Sequence, residues 1–295
     1  MNRTLASKAG IPVVQGFFDP GTNTVSYIVH DPQTKAAAIV DPVLDYTARS
    51  GRTGTKSAET LLTSIRSQGL DLVYLLETHA HADHLSAAHF LKLQTGAPVV
   101  IGRHITEVQE IFGDMFEADD VARDGSAFDR LVDDGDVLPL GELQIRVIHT
   151  PGHTPACVTY CIGDAAFVGD TLFMPDFGTA RADFPGGDAA TLYRSIHRIF
   201  DLPGETRLFT GHDYPPPTRA EPAWEASVAN HRRANVHIHE AVSEEDFVSM
   251  RNARDATLEA PLLILPSLQV NIRAGRMPPA SAGGHIYLRI PVNAI

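Results

Sequence analysis

Three histidines and an aspartate fall within six positions of the segment THAHADH, and this cluster constrains the fold more than any other feature of the sequence. The residues are His79, His81, Asp83 and His84. The preceding segment, LDLVYLLET, is typical of a strand buried on both faces. The following segment, LSAAHFLKLQTG, is typical of a helix that ends at Gly96. The cluster is therefore predicted on a loop held by a rigid strand and helix, where functional residues are often found.

Further metal-ligand side chains follow three other predicted strands. His153 comes after the strand 143–149, Asp170 after the strand AAF and His212 after the strand RLF, each in a turn that contains glycine. Strand ends on one side of a sheet converge, and glycine permits close backbone approach to an ion. We therefore expect all seven residues at one metal site. The other histidines lack this context and are predicted to be ordinary core or surface residues: His30, His89, His104, His149, His197, His231, His237, His239 and His285.

The order of strand and helix patterns predicts two layers of sheet with helices outside, an α+β fold. Strands are expected at 24–29, 35–41, 98–102, 143–149, 157–162, 165–170 and 206–211. Helices are expected at 57–69, with Ser57 as cap and Gly69 as terminator, at 188–200, with Asp188 as cap, and over 220–238 and 243–260. We interpret 104–135 as an acidic insertion on one rim and the chain 1–295 as a single domain. Its core spans about 12–215, and a C-terminal helical extension with an irregular tail spans about 216–295.

Composition restricts the partners and the cell compartment. The chain of 295 residues has 24 basic and 36 acidic side chains, a net charge of −12 that argues against nucleic acid as a partner. Residues 1–16 contain no apolar run of signal-peptide length, and no segment is long enough to span a membrane. Cys157 and Cys161 lie four residues apart on a predicted strand, roughly 13 Å, which is too far for a disulfide. Reduced thiols predict a cytoplasmic protein.

The segments THAHADH, TPGHT, GDTLF and GHDY, in this order, resemble the metallo-β-lactamase superfamily over residues 20–220. The segments TGHDY, GTARADFPGGDAATLYRSI and LILPSLQVNIRAG are most similar to the glutathione-dependent persulfide dioxygenases of that superfamily. The resemblance implies an αββα sandwich. It also implies oxidation of glutathione persulfide by O2 to sulfite and glutathione.

The resemblance implies a mononuclear site in which His79, His153 and Asp170 hold one Fe(II) per chain. The residues His81, Asp83, His84 and His212 would then surround the site or orient water. The alternative is a dinuclear zinc hydrolase of the glyoxalase II type, acting on a glutathione thioester. There His79, His81 and His153 would hold one ion, Asp83, His84 and His212 the other, and Asp170 would bridge them. The same seven residues serve both enzymes, so the motifs leave the choice open. A non-enzymatic metal or thiol sensor is a third hypothesis.

An acidic protein needs local cations to bind a substrate as negative as glutathione. By resemblance, Arg181 in the loop after Asp170 is expected to bind a carboxylate, because its planar fork suits that group. An ion pair with Asp176 or Asp183 is the structural alternative for this arginine. Tyr214 is expected to offer a hydroxyl near the metal. The chain is further expected to form a homo-oligomer, a dimer or higher.

Overall fold

The computed structural model describes residues 10–294. Residues 1–9, which include most of the segment without a signal-peptide pattern, lie outside the described part. The strands are β1 (Val13–Asp19), β2 (Thr24–His30), β3 (Ala36–Val40), β4 (Val43–Thr47), β5 (Arg52–Gly54), β6 (Asp71–Leu76), β7 (Leu85–Ser86), β8 (Val99–Gly102), β9 (Arg130–Val132), β10 (Val137–Leu140), β11 (Leu143–His149), β12 (Val158–Ile162), β13 (Ala165–Gly169), β14 (Arg207–Thr210) and β15 (Glu225–Ser227). The helices are α1 (Lys56–Ser67), α2 (Ala88–Thr95), α3 (Ile105–Met115), α4 (Ala189–Phe200), α5 (Val228–Ala234), α6 (Glu244–Asp255) and α7 (Ile264–Asn271).

Two six-stranded mixed sheets pack face to face. The first has the order β1-β2-β3-β6-β8-β9 and the second the order β10-β11-β12-β13-β14-β15. Side chains alternate between the faces of a strand, and β2 shows the result. Val25, Tyr27 and Val29 enter the apolar layer between the sheets, together with Phe167 of the second sheet, whereas Ile28 enters the layer outside the first sheet.

Helices cover both outer faces. Helices α1, α2, α3 and α7 bury apolar side chains against the first sheet, among them Leu61 and Leu268. Helices α4, α5 and α6 do the same against the second sheet, where Leu192 of α4 and Phe247 of α6 are buried. The layer order is therefore αββα, and the predicted fold class is confirmed.

Several predicted boundaries are also present. The side chain of Asp188 caps α4 by accepting a hydrogen bond from the Thr191 amide at 2.7 Å, and Gly69 and Gly96 end α1 and α2 with positive φ. Helix α1 begins one residue before Ser57, so Ser57 is not its cap. The Ser57 hydroxyl instead donates to the carboxylate of Asp45 at 2.7 Å, which ties the helix to β4.

The interpretation of 104–135 as an insertion is wrong. It contains α3 and β9, and β9 extends the first sheet by pairing in parallel with β8. Ile105, Val108 and Phe112 form a buried stripe, while the acidic residues of the segment face outward. The many acidic residues of the segment make this apolar period hard to recognise in the sequence.

Three further expectations need correction. Strand β6 is fully buried only at Leu75 and Leu76, since its beginning lies beside the exposed segment 32–35 at the rim of the sheet. Within 220–238, only α5 is helical, because Ser227 caps it by accepting from the Asn230 amide and thereby starts the helix there. The tail predicted as irregular contains α7, which tolerates Pro266 in its first turn because no intrahelical partner is lost there.

Cys157 and Cys161 are both free and buried, as expected for reduced thiols. Burial raises the pKa of the Cys157 thiol to about 12 and that of Cys161 to about 11, so both stay protonated. Among residues 10–294, no helix combines the length and the apolar composition that crossing a membrane requires.

Candidate metal centre

The seven predicted ligand residues lie together at one end of the sandwich, where the two sheets meet. The loop after β6 carries His79, His81, Asp83 and His84 from the first sheet. Loops after β11, β13 and β14 bring the other three from the second sheet. Backbone hydrogen bonds close the seam beside them, from Val158 to Thr78 at 2.9 Å and from Val25 to Gly211 at 2.8 Å. Six of the seven residues are buried, and Asp83 is partly exposed.

The seven residues divide into two neighbouring sets. His79, His153 and Asp170 form one set, and the other consists of His81, Asp83, His84 and His212. The carboxylate of Asp170 stands between the sets. Its Oδ2 lies 3.7 Å from Nε2 of His79 and 3.8 Å from Nε2 of His153, whereas its Oδ1 lies 3.4 Å from Nε2 of His212. Asp170 can therefore serve the first set alone or both sets together.

Hydrogen bonds orient the two histidines of the first set. Nδ1 of His153 donates to the carbonyl of Arg181 at 2.8 Å, since a carbonyl can only accept. Nδ1 of His79 lies 3.0 Å from the hydroxyl of Thr78, which itself donates to Asp41 and so accepts from the imidazole. In both rings Nε2 keeps its lone pair and faces Asp170, which is how outer partners prepare histidine for a metal.

His81 is not grouped as the dinuclear alternative expects. Its Nε2 lies 3.1 Å from Oδ1 of Asp41 and 3.7 Å from Oε2 of Glu77. The ring therefore belongs both to the set of Asp83, His84 and His212 and to a third group with Asp41 and Glu77. Asp41 and Glu77 were not among the predicted ligands. Both directly follow strands of the structure, β3 and β6, but the sequence pattern placed them inside the predicted strands 35–41 and LDLVYLLET, and this hid their position at strand ends.

Many polar atoms of the cluster are buried without a hydrogen-bond partner. They include Nε2 of His79, Oδ1 of Asp170, Nε2 of His84 and Nδ1 of both His81 and His212. An unsatisfied buried polar atom costs about 1–3 kcal/mol, so this concentration requires a compensating ligand. Two imidazole nitrogens and a carboxylate oxygen are donors that divalent transition metals accept, and the residues therefore fit a bound metal ion.

The protonation states of the cluster also favour a cation. Burial, reinforced by His81 and His153, holds the pKa of His79 well below its ordinary value, and burial lowers the pKa of His153 to about 4. Both rings are thus neutral, as ligands must be. Burial raises the pKa of Asp170, although the charge of His212 opposes it. Burial lowers the pKa of His212, but Asp170 and Asp83 outweigh this effect and raise it overall. A bound cation would displace the protons that these groups hold.

A cavity of about 340 Å³ opens beside the first set. Aromatic side chains form much of its wall, and α6 with the segment after it forms the outer side. Its lining residues are Ala82, Asp83, His153, Asp170, Phe173, Phe177, Thr179, Ala180, Arg181, Phe184, Tyr214, Arg251, Arg254, Leu258, Glu259 and Pro261. The C-terminal extension therefore forms part of the cavity wall, a contact that the sequence pattern did not predict.

Three arginines line this cavity, and they differ in whether they form ion pairs with other residues of the protein. Arg181 binds Asp183 through Nε at 2.6 Å and Nη2 at 2.8 Å, so the ion pair considered from the sequence is formed. Arg251 is buried and pairs with Asp255 at 2.6 Å. Arg254, by contrast, forms no ion pair with any residue between 10 and 294. Sequence reasoning missed Arg254, because its place on the cavity follows only from how α6 docks.

Tyr214 lines the cavity and stacks on His212, with ring centroids 5.7 Å apart and an angle of 16° between the planes. Burial, with help from Asp83 and Asp170, raises the pKa of its phenol, so the hydroxyl stays protonated and can donate a hydrogen bond. Asp176, the other acid considered for Arg181, pairs with Arg219 instead.

Comparison with known families and sequences matches the site and the fold. The family model described as "Metallo-beta-lactamase superfamily" matches residues 19–212. A probable metallo-hydrolase of Burkholderia pseudomallei is 55% identical over 96% of this chain and 99% of its own length. Glyoxylase B2 of Dictyostelium discoideum is 47% identical over 98% of this chain and 99% of its own length.

Persulfide dioxygenases are more distant relatives. The human mitochondrial persulfide dioxygenase ETHE1 is 30% identical over 92% of this chain and 93% of its own length. The crystal structure of ETHE1 from Myxococcus xanthus superposes with a TM-score of 0.72 at 29% identity, covering 90% of this chain and all of that one. This chain spans only 65% of the length of a beta-lactamase hydrolase-like protein of Xylella fastidiosa, to which it is 51% identical over 96% of its own residues.

Proposed function

This chain belongs to the metallo-beta-lactamase superfamily, and within that superfamily we propose that it is a glutathione-dependent persulfide dioxygenase. The proposed reaction converts glutathione persulfide, O2 and water to glutathione and sulfite. The observation that carries the proposal is the compact set of His79, His153 and Asp170. Two histidines and one carboxylate leave coordination positions open on an iron(II) ion, the arrangement found in non-haem oxygenases.

The proposed cofactor is one Fe(II) per chain, which when bound supplies electrons and brings the persulfide sulfur and O2 within bonding distance. The chain's own contribution is orientation. The Thr78 hydroxyl turns Nε2 of His79 toward Asp170, and the Arg181 carbonyl turns Nε2 of His153 toward the same carboxylate.

The cavity supports a thiol carrier of glutathione type. Phe173, Phe177 and Phe184 supply apolar walls that exclude water from the reacting sulfur. Tyr214 supplies a protonated hydroxyl near the set. Arg254, whose guanidinium pairs with no acid in the described part of the chain, offers its charge to a carboxylate of the substrate and so compensates locally for the net charge of −12.

A dinuclear zinc hydrolase acting on a glutathione thioester is the second candidate. It is favoured by the adjacent set of His81, Asp83, His84 and His212, and by the position of Asp170 between the two sets. The names of the Burkholderia and Dictyostelium relatives also point to this chemistry. The placement of His81 with the second set counts against the ligand arrangement that this enzyme would need.

Reconstitution distinguishes the two candidates. Separate samples of the apo-protein would be loaded anaerobically with excess Fe(II) or excess Zn(II) and freed of unbound metal. Each would then be mixed in air-saturated buffer with glutathione persulfide or with a glutathione thioester. Oxygen uptake matched by sulfite, with one iron per chain by elemental analysis, is the expected result. Two zinc ions per chain, hydrolysis of a glutathione thioester and no oxygen uptake would contradict the dioxygenase proposal.

We also propose that the protein acts in the cytoplasm on small molecules, without a nucleic-acid or membrane partner, and as a homo-oligomer of two or more chains. Light scattering of the purified protein measures the last property directly.

A further inference from the structure

One amide side chain, that of Asn271, holds the loop that carries the histidine cluster. Its Oδ1 accepts a hydrogen bond from the Ser86 amide at 2.8 Å, and its Nδ2 donates to the carbonyl oxygens of His81 and His84, each at 2.8 Å. A backbone amide can only donate and a carbonyl can only accept, so these partners determine the orientation of the Asn271 amide. Both of its N–H groups are used, in a side chain that is buried.

The loop depends on such external support. Residues 77–84 lie in neither a helix nor a strand, although four candidate ligands lie within them. A backbone shift would move His81, Asp83 and His84 together. The three bonds from Asn271 span this part of the loop and its exit into β7, and they therefore restrict the shift.

Helix α7, which carries Asn271 at its end, is itself firmly placed. Gln109 of α3 donates to the carbonyl of Ile272 at 2.9 Å, and Leu268 and Val270 are buried in the layer outside the first sheet. Shortly afterwards the chain passes very close to the loop at Gly275. A Cβ atom there would lie 2.8 Å from the Ser86 carbonyl oxygen.

We propose that Asn271 is a positioning residue of the metal centre. Its amide fixes the backbone at His81 and His84 and so determines how the cluster presents its nitrogens to an ion. The inference rests on the metal site of the proposed function, but it does not depend on which reaction that site performs. It gives the C-terminal extension a second role beside that of α6 in the cavity wall.

The test compares metal binding in three variants. Asn271→Ala removes all three bonds, whereas Asn271→Asp keeps an acceptor for Ser86 and loses both donors. Asn235→Ala is the matched control, because Asn235 is also a buried amide with three backbone partners, at Gly178, His237 and Ile238, and none lies in the histidine loop. Competition with a chelator gives the Fe(II) dissociation constant, and the Co(II)-loaded proteins give a visible spectrum that reports ligand geometry.

The expected result is Fe(II) affinity about 10- to 100-fold weaker in both Asn271 variants, the range for residues that support a metal site, because His81 and His84 share their loop with the proposed ligand His79. The Co(II) spectrum should shift as well, while Asn235→Ala keeps the wild-type affinity and spectrum whatever its melting temperature. Wild-type affinity and spectrum in Asn271→Asp would overturn the proposal, even if Asn271→Ala fails to fold. A wild type that binds two zinc ions and hydrolyses thioesters, with both Asn271 variants still weakened, would uphold this proposal and reject only the dioxygenase.

Discussion

Histidine can bind a metal through either ring nitrogen, and at His153 the carbonyl of Arg181 removes that choice. Thr78 does the same for His79 through its link to Asp41. A site of three ligands has none to spare. We therefore predict that His79→Ala, His153→Ala and Asp170→Ala each lose iron and activity together. His212→Ala should keep most of its iron at saturating Fe(II), with affinity or activity lowered about 10- to 100-fold.

Elemental analysis and oxygen uptake of each variant check this hierarchy. His231→Ala is the control, since His231 is as buried as His212 but lies outside both sets. Loss of iron from His212→Ala as complete as from His79→Ala would show that the mononuclear assignment is wrong.

The two arginines of the cavity should behave differently on substitution. Arg254 forms no ion pair within the described residues 10–294. Arg254→Ala is therefore predicted to raise KM for glutathione persulfide about tenfold, the lower end for a charged hydrogen bond of about 1.5–3 kcal/mol. Arg181 is already bound to Asp183 and lies over the ring of Phe184 at 4.9 Å. Arg181→Ala is predicted to lower the melting temperature with a smaller change in KM.

Steady-state kinetics at normal iron content measure both effects, with Arg233→Ala as an exposed control outside the cavity. The opposite ranking, with KM raised by Arg181→Ala alone, would return the carboxylate-binding role to the residue expected from the sequence.

Among the elements, α6 reaches the metal centre indirectly. Arg251 donates to the Thr179 carbonyl at 3.2 Å, and Asp255 accepts from the Ala182 amide at 2.9 Å. These bonds fix the segment 179–182, whose carbonyl at Arg181 orients His153. Breaking a buried pair leaves an uncompensated charge that costs about 3–5 kcal/mol. Asp255→Asn is therefore predicted to lower both the stability and the Fe(II) affinity.

Denaturant unfolding and metal titration measure the two losses separately. Glu244→Gln on the same helix breaks an exposed pair with Arg194, for which about 0–1 kcal/mol and unchanged affinity are expected. Unchanged affinity in Asp255→Asn would mean that α6 stabilises the fold without orienting His153.

Elements with a strong apolar period were predictable from the sequence. Elements that are very short or whose pattern is interrupted were not. Strand β2 and helix α4 were predicted because their apolar spacing repeats along the whole element. Strands β7 and β15 have two and three residues, too few to show a period, and they exist because neighbouring strands offer them hydrogen bonds. The proline in α7 masked a helix that its packing on the first sheet supports.

At the scale of the whole molecule, the metal centre joins the two sheets. A metal that binds only the folded state adds about 2.7 kcal/mol when its concentration is about 100 times its dissociation constant. Removing it with a chelator is therefore predicted to lower the melting temperature by several degrees, and Fe(II) should restore it. Calorimetry of apo and reloaded protein measures the shift. Equal melting temperatures would contradict the idea that a bound metal holds the two sheets together.

The candidate site was predictable as a cluster but not in its arrangement. Ligand chemistry at strand ends singled out seven residues, His79 and His212 among them, that lie together in the folded chain. The division into three and four depends on Asp41 and Glu77, which meet His81 only in the folded chain. The cavity wall depends in the same way on α6, whose sequence carries no sign of its docking place.

The bonds of Asn271 also determine when, during synthesis of the chain, the histidine loop can reach its final arrangement. A ribosome makes the chain from its N-terminus, so the histidine loop has left the exit tunnel long before α7 exists. His212 joins the loop late, and Asn271 joins it later still, after α6 and α7 have been made. The loop therefore reaches its final arrangement only once these helices have folded, and an ion that needs this arrangement would bind after that point rather than to a shorter nascent chain.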